Sequence, residues 1–321
     1  MAIRSRRTAG DGKAVERFEL RPHGPYALAA SVRFLEGFAP AAYDGGVPGH
    51  LHMAFIADDG AMAGVCVRDE DGVVVGEIVG EADPGVVRAQ VARILSLDVD
   101  GSGFPAVGAR DPVIGRLQAR YPGLRPVLFY SPYEAAAWAL IGHRIRITQA
   151  ARIKARMAEE LGPAVTVYGE RLHAFPGPAR LADLDTVSGL TIQKVERLRA
   201  LGVAAADEAL DAARLRALPS EDALARLKEL PGIGDFSAQL ILLRGAGEPD
   251  YLPTAEPRLG RAIARAYGLD HPPSATDLTA LAAAWRPYGA WATLLLRTML
   301  EDETHEIAGG RRRPHETETE Q

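Results

Sequence analysis

The chain has 321 residues, of which 47% are hydrophobic and 25% are charged, and its formal net charge is −5. This composition predicts a folded protein of about two or three domains, without an apolar run long enough to span a membrane and without a secretory signal. Cys66 is the single cysteine, which excludes an internal disulfide, an iron–sulfur cluster on the chain's own cysteines and a cysteine-based zinc site. We therefore expect a cytoplasmic protein with no membrane partner.

The first part of the chain mixes strand and helix patterns. Hydrophobic alternation over residues 50–56 predicts a strand. Two valine-rich segments flank an Asp-Gly turn at residues 69–72, which predicts a β-hairpin. Apolar residues spaced by four predict a helix over residues 84–95.

Beyond a linker at residues 122–126 the pattern is helical, and no convincing strand follows residue 131. Ser131 before Pro132 is typical of a capped helix start. Further helices are predicted at 148–161, 192–202, 207–217, 221–229, 236–244, 255–267, 275–285 and 288–301. The predicted class is α+β, with a disordered N-terminus at 1–16, a mixed α/β domain at 17–126, a helical region at 127–304 and a disordered tail at 305–321.

The most informative segment is a tight turn between two helices, Leu-Pro-Gly-Ile-Gly from Leu230. Pro231 stops the first helix, and Gly232 and Gly234 permit positive φ. The first N–H groups of the second helix lack intrahelical acceptors, and the helix dipole favours anions there. The turn therefore predicts a phosphate-binding site. An ordinary helix connection, with glycines required by the backbone alone, is the alternative.

A carboxylate follows at the start of the next helix. The second helix of the turn is predicted to end at Gly245, a natural residue just past a helix. Thr254 is predicted to cap the next one, which places Glu256 at the second helical position, where the dipole stabilises negative charge. Glu256 is either the acid of an active site or an ordinary first-turn residue, and the pattern alone leaves both open.

Together these segments resemble the helix–hairpin–helix superfamily of DNA glycosylases, and within it the 3-methyladenine DNA glycosylase II family. The turn and the Tyr-Leu-Pro-x-x-acid segment from Tyr251 resemble the superfamily. Further motifs resemble the family; they begin at Asp111, Tyr121, Ser131 and His173. The resemblance covers about residues 17–304 and implies a mixed α/β domain packed on an all-α helix–hairpin–helix domain pair.

The resemblance implies a base-excision repair enzyme that binds double-stranded DNA containing damaged bases. Such an enzyme flips an alkylated purine out of the stack and hydrolyses its N-glycosidic bond. Because a cationic purine leaves as a neutral base, a single carboxylate, here Glu256, can stabilise the oxocarbenium-like transition state. Related lyases carry a Schiff-base lysine where this chain has Phe236, so a monofunctional enzyme is expected.

The resemblance also implies DNA contacts and a base pocket. The expected DNA contacts are Gly232, Ile233, Gly234, Phe236, Ser237 and, as the wedge that fills the vacated stack, Arg144. The expected pocket residues are Phe34, Phe236, Leu240 and Arg297. Carbonyls of the turn could coordinate a monovalent cation; no other cofactor is expected, and the protein is expected to be a monomer that reaches the nucleoid through DNA.

Three positions depart from the family pattern. Glu256 stands in place of an aspartate, and a displacement of about 1 Å can cost about 100-fold in rate. His143 and Arg144 replace a glutamine and the usual wedge. Arg297 replaces a tryptophan that stacks on the flipped base, and its charge would repel a cationic purine. A damage-binding protein with lost or altered catalysis, or a non-specific DNA-binding module, therefore remains an alternative.

Other residue patterns favour structural roles. His50 and His52 share one face of the predicted strand, but two histidines without a third ligand do not predict a metal site. The basic residues of 143–156 are either a DNA-facing surface or a solvated helix face. Four aromatic residues are predicted to be core: Trp138, Trp285, Tyr288 and Trp291.

Overall fold

The computed structural model describes residues 15–37 and 47–305. The ends predicted to be disordered lie almost entirely outside these residues, although Glu16 already begins the first strand and His305 follows the last helix. Within the described ranges, none of the helices combines the length and the hydrophobicity that a membrane crossing requires.

The described residues form six strands and fourteen α-helices. The strands are β1 (Glu16–Leu20), β2 (His50–Ile56), β3 (Met62–Glu70), β4 (Val73–Gly80), β5 (Ala164–Val167) and β6 (Glu170–His173). The helices are α1 (Leu28–Glu36), α2 (Pro84–Ile94), α3 (Phe104–Arg110), α4 (Pro112–Arg120), α5 (Pro132–Gly142), α6 (Ile147–Leu161), α7 (Pro178–Ala182), α8 (Ile192–Ala206), α9 (Ala212–Ala217), α10 (Ser220–Lys228), α11 (Asp235–Leu240), α12 (Pro257–Tyr267), α13 (Ala275–Ala282) and α14 (Gly289–Thr304). A π-helical segment, Ile241–Ala246, extends α11, and a 3₁₀ turn, Ala283–Trp285, follows α13.

The N-terminal part is a four-stranded antiparallel sheet with the order β1-β4-β3-β2. The strand predicted at residues 50–56 is confirmed. The predicted Asp-Gly hairpin is also confirmed, because it joins β3 to β4 and Gly72 has φ +79°. The N–H of Gly72 donates to Asp69 Oδ1 at 3.0 Å, so the aspartate closes the turn.

The two faces of this sheet have different neighbours. Alternate side chains, including Leu51, Met53 and Phe55, form one core with α1 and α2. The opposite face is covered by the hairpin of β5 and β6, and a Cβ added at Gly64 would lie 2.7 Å from Val167 Cγ2. The expectation that no strand follows residue 131 is therefore wrong. These strands have four residues each, and packing on the larger sheet stabilises them.

The helices are held by two further cores. One surrounds α5 and includes residues of α6, α8, α10 and α11. The other joins α3 and α4 to α12 and α14. The α+β class is thus confirmed, as is the burial of the four predicted core aromatics. Because α3 and α4 share a core with helices beyond residue 126, the boundary between the domains at 17–126 and 127–304 stays a prediction.

Several helix boundaries differ from those predicted. The segment predicted at 207–217 is helical only from Ala212, and the helix predicted to begin at residue 221 begins at Ser220. Gly247, with φ +85°, ends the helical run that was predicted to end at Gly245. Gly245 instead permits a close approach, since a Cβ there would lie 2.7 Å from the backbone of α5.

Candidate active site and DNA-binding surface

The turn between α10 and α11 matches the prediction with one difference. Gly232 has φ +89°, the left-handed region that favours glycine. Ile233 is buried, and its N–H donates to the Leu230 carbonyl at 3.0 Å, which anchors the turn. Gly234, expected to permit positive φ, has φ −101° and is the N-cap of α11. A Cβ there would meet no atom within 4 Å, so the space beside the start of α11 is open.

The outer side of this turn is accessible. Gly232 and Gly234 are exposed, and Ser237 is half-buried. Since the first N–H groups of a helix have no intrahelical acceptor, an anion could bind beside the start of α11. Phe236 is 46% exposed, so it does not lie in an enclosed pocket, and its contribution to base recognition stays a prediction.

Basic side chains that the sequence pattern did not single out lie next to the turn. A Cβ at Gly232 would be 2.7 Å from Arg197 Cδ of α8. The pKa of His143 is lowered by burial and then by neighbouring cations, which are Arg144, Arg197 and Lys194. The chain thus gathers positive charge beside the turn although its net charge is −5.

Arg144 lies in the connection between α5 and α6, where it is exposed and has φ +57°. A non-glycine residue in this conformation indicates a constrained turn. Its role as the wedge stays a prediction. Lys154, from the same basic stretch, faces inward instead: its Nζ lies 3.2 Å from Glu134 Oε2, and both side chains are largely buried.

Glu256 is the N-cap of α12 rather than a residue inside its first turn. Pro257 is the first helical residue, and Glu256 Oε1 accepts from the N–H of Arg258 at 3.1 Å. Thr254, the predicted cap, instead accepts a hydrogen bond from Gln239 Nε2 at 3.3 Å. The Glu256 side chain is only 11% exposed, so a nearly buried carboxylate stands at a helix N-terminus.

Arg297 pairs with this carboxylate, and Arg244 and then Phe34 lie beyond Arg297 as successive neighbours. Arg297 Nη1 is 2.5 Å from Glu256 Oε2. Burial lowers the pKa of Arg297, and the Glu256 carboxylate opposes this change. The pKa of Arg244 is lowered to about 9, mainly by burial and to a smaller extent by the positive charge of Arg297. Arg244 therefore remains protonated at neutral pH. The guanidinium of Arg244 lies 5.0 Å from the centre of the Phe34 ring.

Two of the predicted pocket residues, Phe34 and Arg297, are thus brought together through Arg244. Sequence reasoning missed Arg244, although a charged residue within the apolar run Ile-Leu-Leu-Arg-Gly-Ala from Ile241 was a visible signal. Leu240 packs against the helical core around α5, and its place in a base pocket stays a prediction.

Gln239 connects the turn to the loop that precedes Glu256. It is buried, and its Nε2 donates to Tyr251 Oη and Thr254 Oγ1, each at 3.3 Å. Its Oε1 accepts from the N–H of Ala255 at 2.9 Å. The helix that begins at the candidate DNA-binding turn therefore also positions the peptide beside the carboxylate. The helical periodicity did not single out this residue.

Similarity to known proteins agrees with this arrangement. No protein-family model matches the chain. A protein of Mycobacterium tuberculosis named as a probable bifunctional transcriptional activator/DNA repair enzyme AlkA is 30% identical over 218 residues, which are 66% of this chain and 42% of that protein. The chain therefore spans less than half the length of this relative. The DNA-3-methyladenine glycosylase of Bacillus subtilis is 24% identical over 208 residues, which are 64% of this chain and 69% of that protein.

The fold is also that of a solved structure. The 3-methyladenine DNA-glycosylase of Archaeoglobus fulgidus superposes with a TM-score of 0.73 at 20% identity, covering 90% of this chain and 99% of that one. In sequence and in fold, the chain is thus similar to proteins named as 3-methyladenine DNA glycosylases.

Proposed function

We propose that this protein is a base-excision repair DNA glycosylase that flips an alkylated or otherwise damaged purine out of duplex DNA and hydrolyses its N-glycosidic bond. The observation that carries the proposal is Glu256, a carboxylate 11% exposed at the N-cap of the helix that follows the hairpin. The relatives named as a DNA repair enzyme and as a DNA-3-methyladenine glycosylase support it.

The hairpin would hold the DNA backbone. Amides at the start of α11 would bind a phosphate, and the open space at Gly234 would let it approach closely. Arg197 and Lys194 would add the positive charge that dominates affinity for DNA. Arg144, exposed in the connection next to them, would fill the space left by the flipped nucleotide.

Glu256 would supply the chemistry. As the bond to the base breaks, positive charge develops on the sugar, and a carboxylate beneath it stabilises the oxocarbenium-like transition state. The same carboxylate can orient the attacking water. Because Phe236 stands where related lyases carry a lysine, no Schiff base forms with the abasic sugar, and the enzyme is monofunctional.

The charges around Glu256 narrow the class of base. Arg297 pairs with Glu256, and Arg244 lies against the ring of Phe34, so two positive charges lie between the carboxylate and this ring. A cationic alkylpurine would be repelled at short range in a poorly solvated site. Within the damaged purines, we therefore expect neutral lesions to be preferred.

The ion pair also favours a second function, that of a DNA-damage-binding protein of the same fold without catalysis. Oε1 of Glu256 bonds to Arg258, and Oε2 pairs with Arg297. One of these two contacts must therefore weaken or break before a carboxylate oxygen can interact with the sugar of a bound nucleotide. If Arg297 remains in place, the protein would bind a lesion and leave the bond intact.

We further propose that the protein acts as a monomer on DNA in the cytoplasm. Carbonyls of the turn between α10 and α11 would coordinate a monovalent cation in the DNA complex. The monomeric state and the cation rest on the family resemblance, and the location rests on the composition and the single cysteine.

The test is release of free base from duplexes that each carry one lesion: cationic 7-methylguanine, neutral hypoxanthine or neutral 8-oxoguanine, with an undamaged duplex as control. The proposal expects release of a neutral lesion, with strand cleavage only after alkali. Tight, lesion-dependent binding without release would establish the second function. Equal affinity for damaged and undamaged duplexes, without release, would contradict both.

A further inference from the structure

Two histidines and the single cysteine lie together on the face of the N-terminal sheet that the hairpin of β5 and β6 covers. His52 of β2 is the direct partner of Cys66 on β3, and His50 lies two residues before His52 on the same face. One potential ligand atom from each of the three side chains lies within 4.8 Å of the other two. His50 Nδ1 is 3.2 Å from Cys66 Sγ.

The environment of His52 points to a missing partner. Its side chain is 3% exposed, and its Nδ1 lies 2.7 Å from Glu170 Oε2 of β6. A carboxylate there accepts a hydrogen bond from the Nδ1–H of His52, which leaves Nε2 as the ring nitrogen with the lone pair. Within the described residues, Nε2 of His52 is buried and has no hydrogen-bond partner. A buried acceptor without a partner is costly, and a ligand bound at this nitrogen would remove that cost.

The distances fit a transition-metal ion. With Zn–N near 2.0–2.1 Å and Zn–S near 2.3 Å in a tetrahedral site, neighbouring ligand atoms are roughly 3.5 Å apart. The observed 3.2 Å between His50 Nδ1 and Cys66 Sγ is close to this value, and small side-chain movements would close the remaining separations.

We propose that His50, His52 and Cys66 bind one Zn²⁺ ion, with Glu170 holding the ring of His52 in place and water in the fourth position. A site of two imidazoles and one thiolate suits zinc. Binding converts the Cys66 thiol to the thiolate and releases its proton to solvent, while the imidazoles bind as neutral ligands. The sequence-based expectation of no metal site depended on the absence of a third ligand, which strand pairing supplies.

The ion would stabilise the packing of the hairpin of β5 and β6 on the sheet. Glu170 belongs to this hairpin. Tyr168, at its tip, stacks on His52 with ring centres 5.8 Å apart and donates to Glu77 Oε2 at 2.6 Å. Because this face is opposite to the one that packs on α1 and α2, the role we infer is structural and independent of catalysis.

The experiment uses the full chain, stripped with a chelator and titrated with Co²⁺ and then Zn²⁺. We expect one Co²⁺ per chain, a thiolate-to-cobalt charge-transfer band, displacement by Zn²⁺ and a higher melting temperature with the metal. Absence of the band and of stoichiometric metal would overturn the proposal and leave a hydrogen-bonded thiol only.

Variants assign the ligands. Cys66→Ser should abolish the band, and a retained band would overturn the assignment. Cys66 is buried, so its replacement could disturb the fold. Glu170→Gln changes a half-exposed side chain and should leave the fold intact, so it serves as the second test. It should lower Co²⁺ affinity about 10- to 100-fold, as loss of an outer partner of a metal-bound histidine typically does. His271→Gln, at an exposed histidine elsewhere, is the matched control and should bind like wild type.

Discussion

Gln239 offers a direct test of how the fold positions the candidate carboxylate. Replacing it with leucine keeps a similar volume in a buried position but removes three hydrogen bonds, to Tyr251, Thr254 and Ala255. Loss of the acceptor leaves the Ala255 N–H without its partner, which costs about 1–3 kcal/mol. The two longer bonds contribute about 0.5 kcal/mol each, so we expect a destabilisation of roughly 2–4 kcal/mol.

The effect on activity should exceed the effect on folding. Glu256 directly follows Ala255, and a displacement of about 1 Å costs about 100-fold in rate. Single-turnover base release, measured well below the melting temperature, should therefore be about 100-fold slower in Gln239→Leu, with duplex affinity unchanged. Gln239→Glu keeps the acceptor for the Ala255 N–H and should retain most of the rate. A Gln239→Leu protein that releases base at the wild-type rate would refute the positioning role.

Three further predictions follow from individual contacts. Asp111 caps α4 and accepts from Tyr267 Oη and from Trp285 Nε1, the latter at 2.9 Å; Asp111→Asn should lower the free energy of unfolding by about 2–4 kcal/mol in urea titrations, and a loss under about 1 kcal/mol would contradict this. Arg297→Met should raise the ratio of 7-methylguanine to hypoxanthine release about tenfold, since it removes a charge worth about 1–2 kcal/mol near the base, and an unchanged ratio would show that the charge does not reach the pocket. The pKa of His143 is lowered by burial and neighbouring cations, and DNA phosphates should raise it on binding. Duplex affinity should therefore rise by up to about tenfold per pH unit as pH falls from the pKa in the complex towards the lower pKa in the free protein, and a His143→Gln variant with the same pH profile would contradict it.

Local signals in the sequence predicted much of the fold. Alternation located β2, the Asp-Gly turn located the hairpin of β3 and β4, and helical periodicity located most of the helices. The hairpin of β5 and β6 was missed because its strands have four residues each and are partly exposed. Such strands have little pattern of their own and depend on the sheet on which they pack.

The candidate site shows where local rules compete. Thr254 is a good N-cap residue, yet its hydroxyl bonds to Gln239, while Pro257 favours the first helical position and makes Glu256 the cap. The pairing of Glu256 with Arg297 joins residues far apart in the chain. The cluster of His50, His52 and Cys66 also joins distant parts of the chain, because the register of β2 against β3 brings the three residues together. Contacts of this kind follow from tertiary packing and have no local signature.

The central claim is that Glu256 is the catalytic carboxylate. The most direct test compares single-turnover base release by wild type and Glu256→Gln on the lesion that the wild type prefers, with duplex affinity and melting temperature measured in parallel. We expect the variant to bind the duplex as wild type does and to release base at least about 100-fold more slowly. Equal rates of release by the two proteins would contradict it.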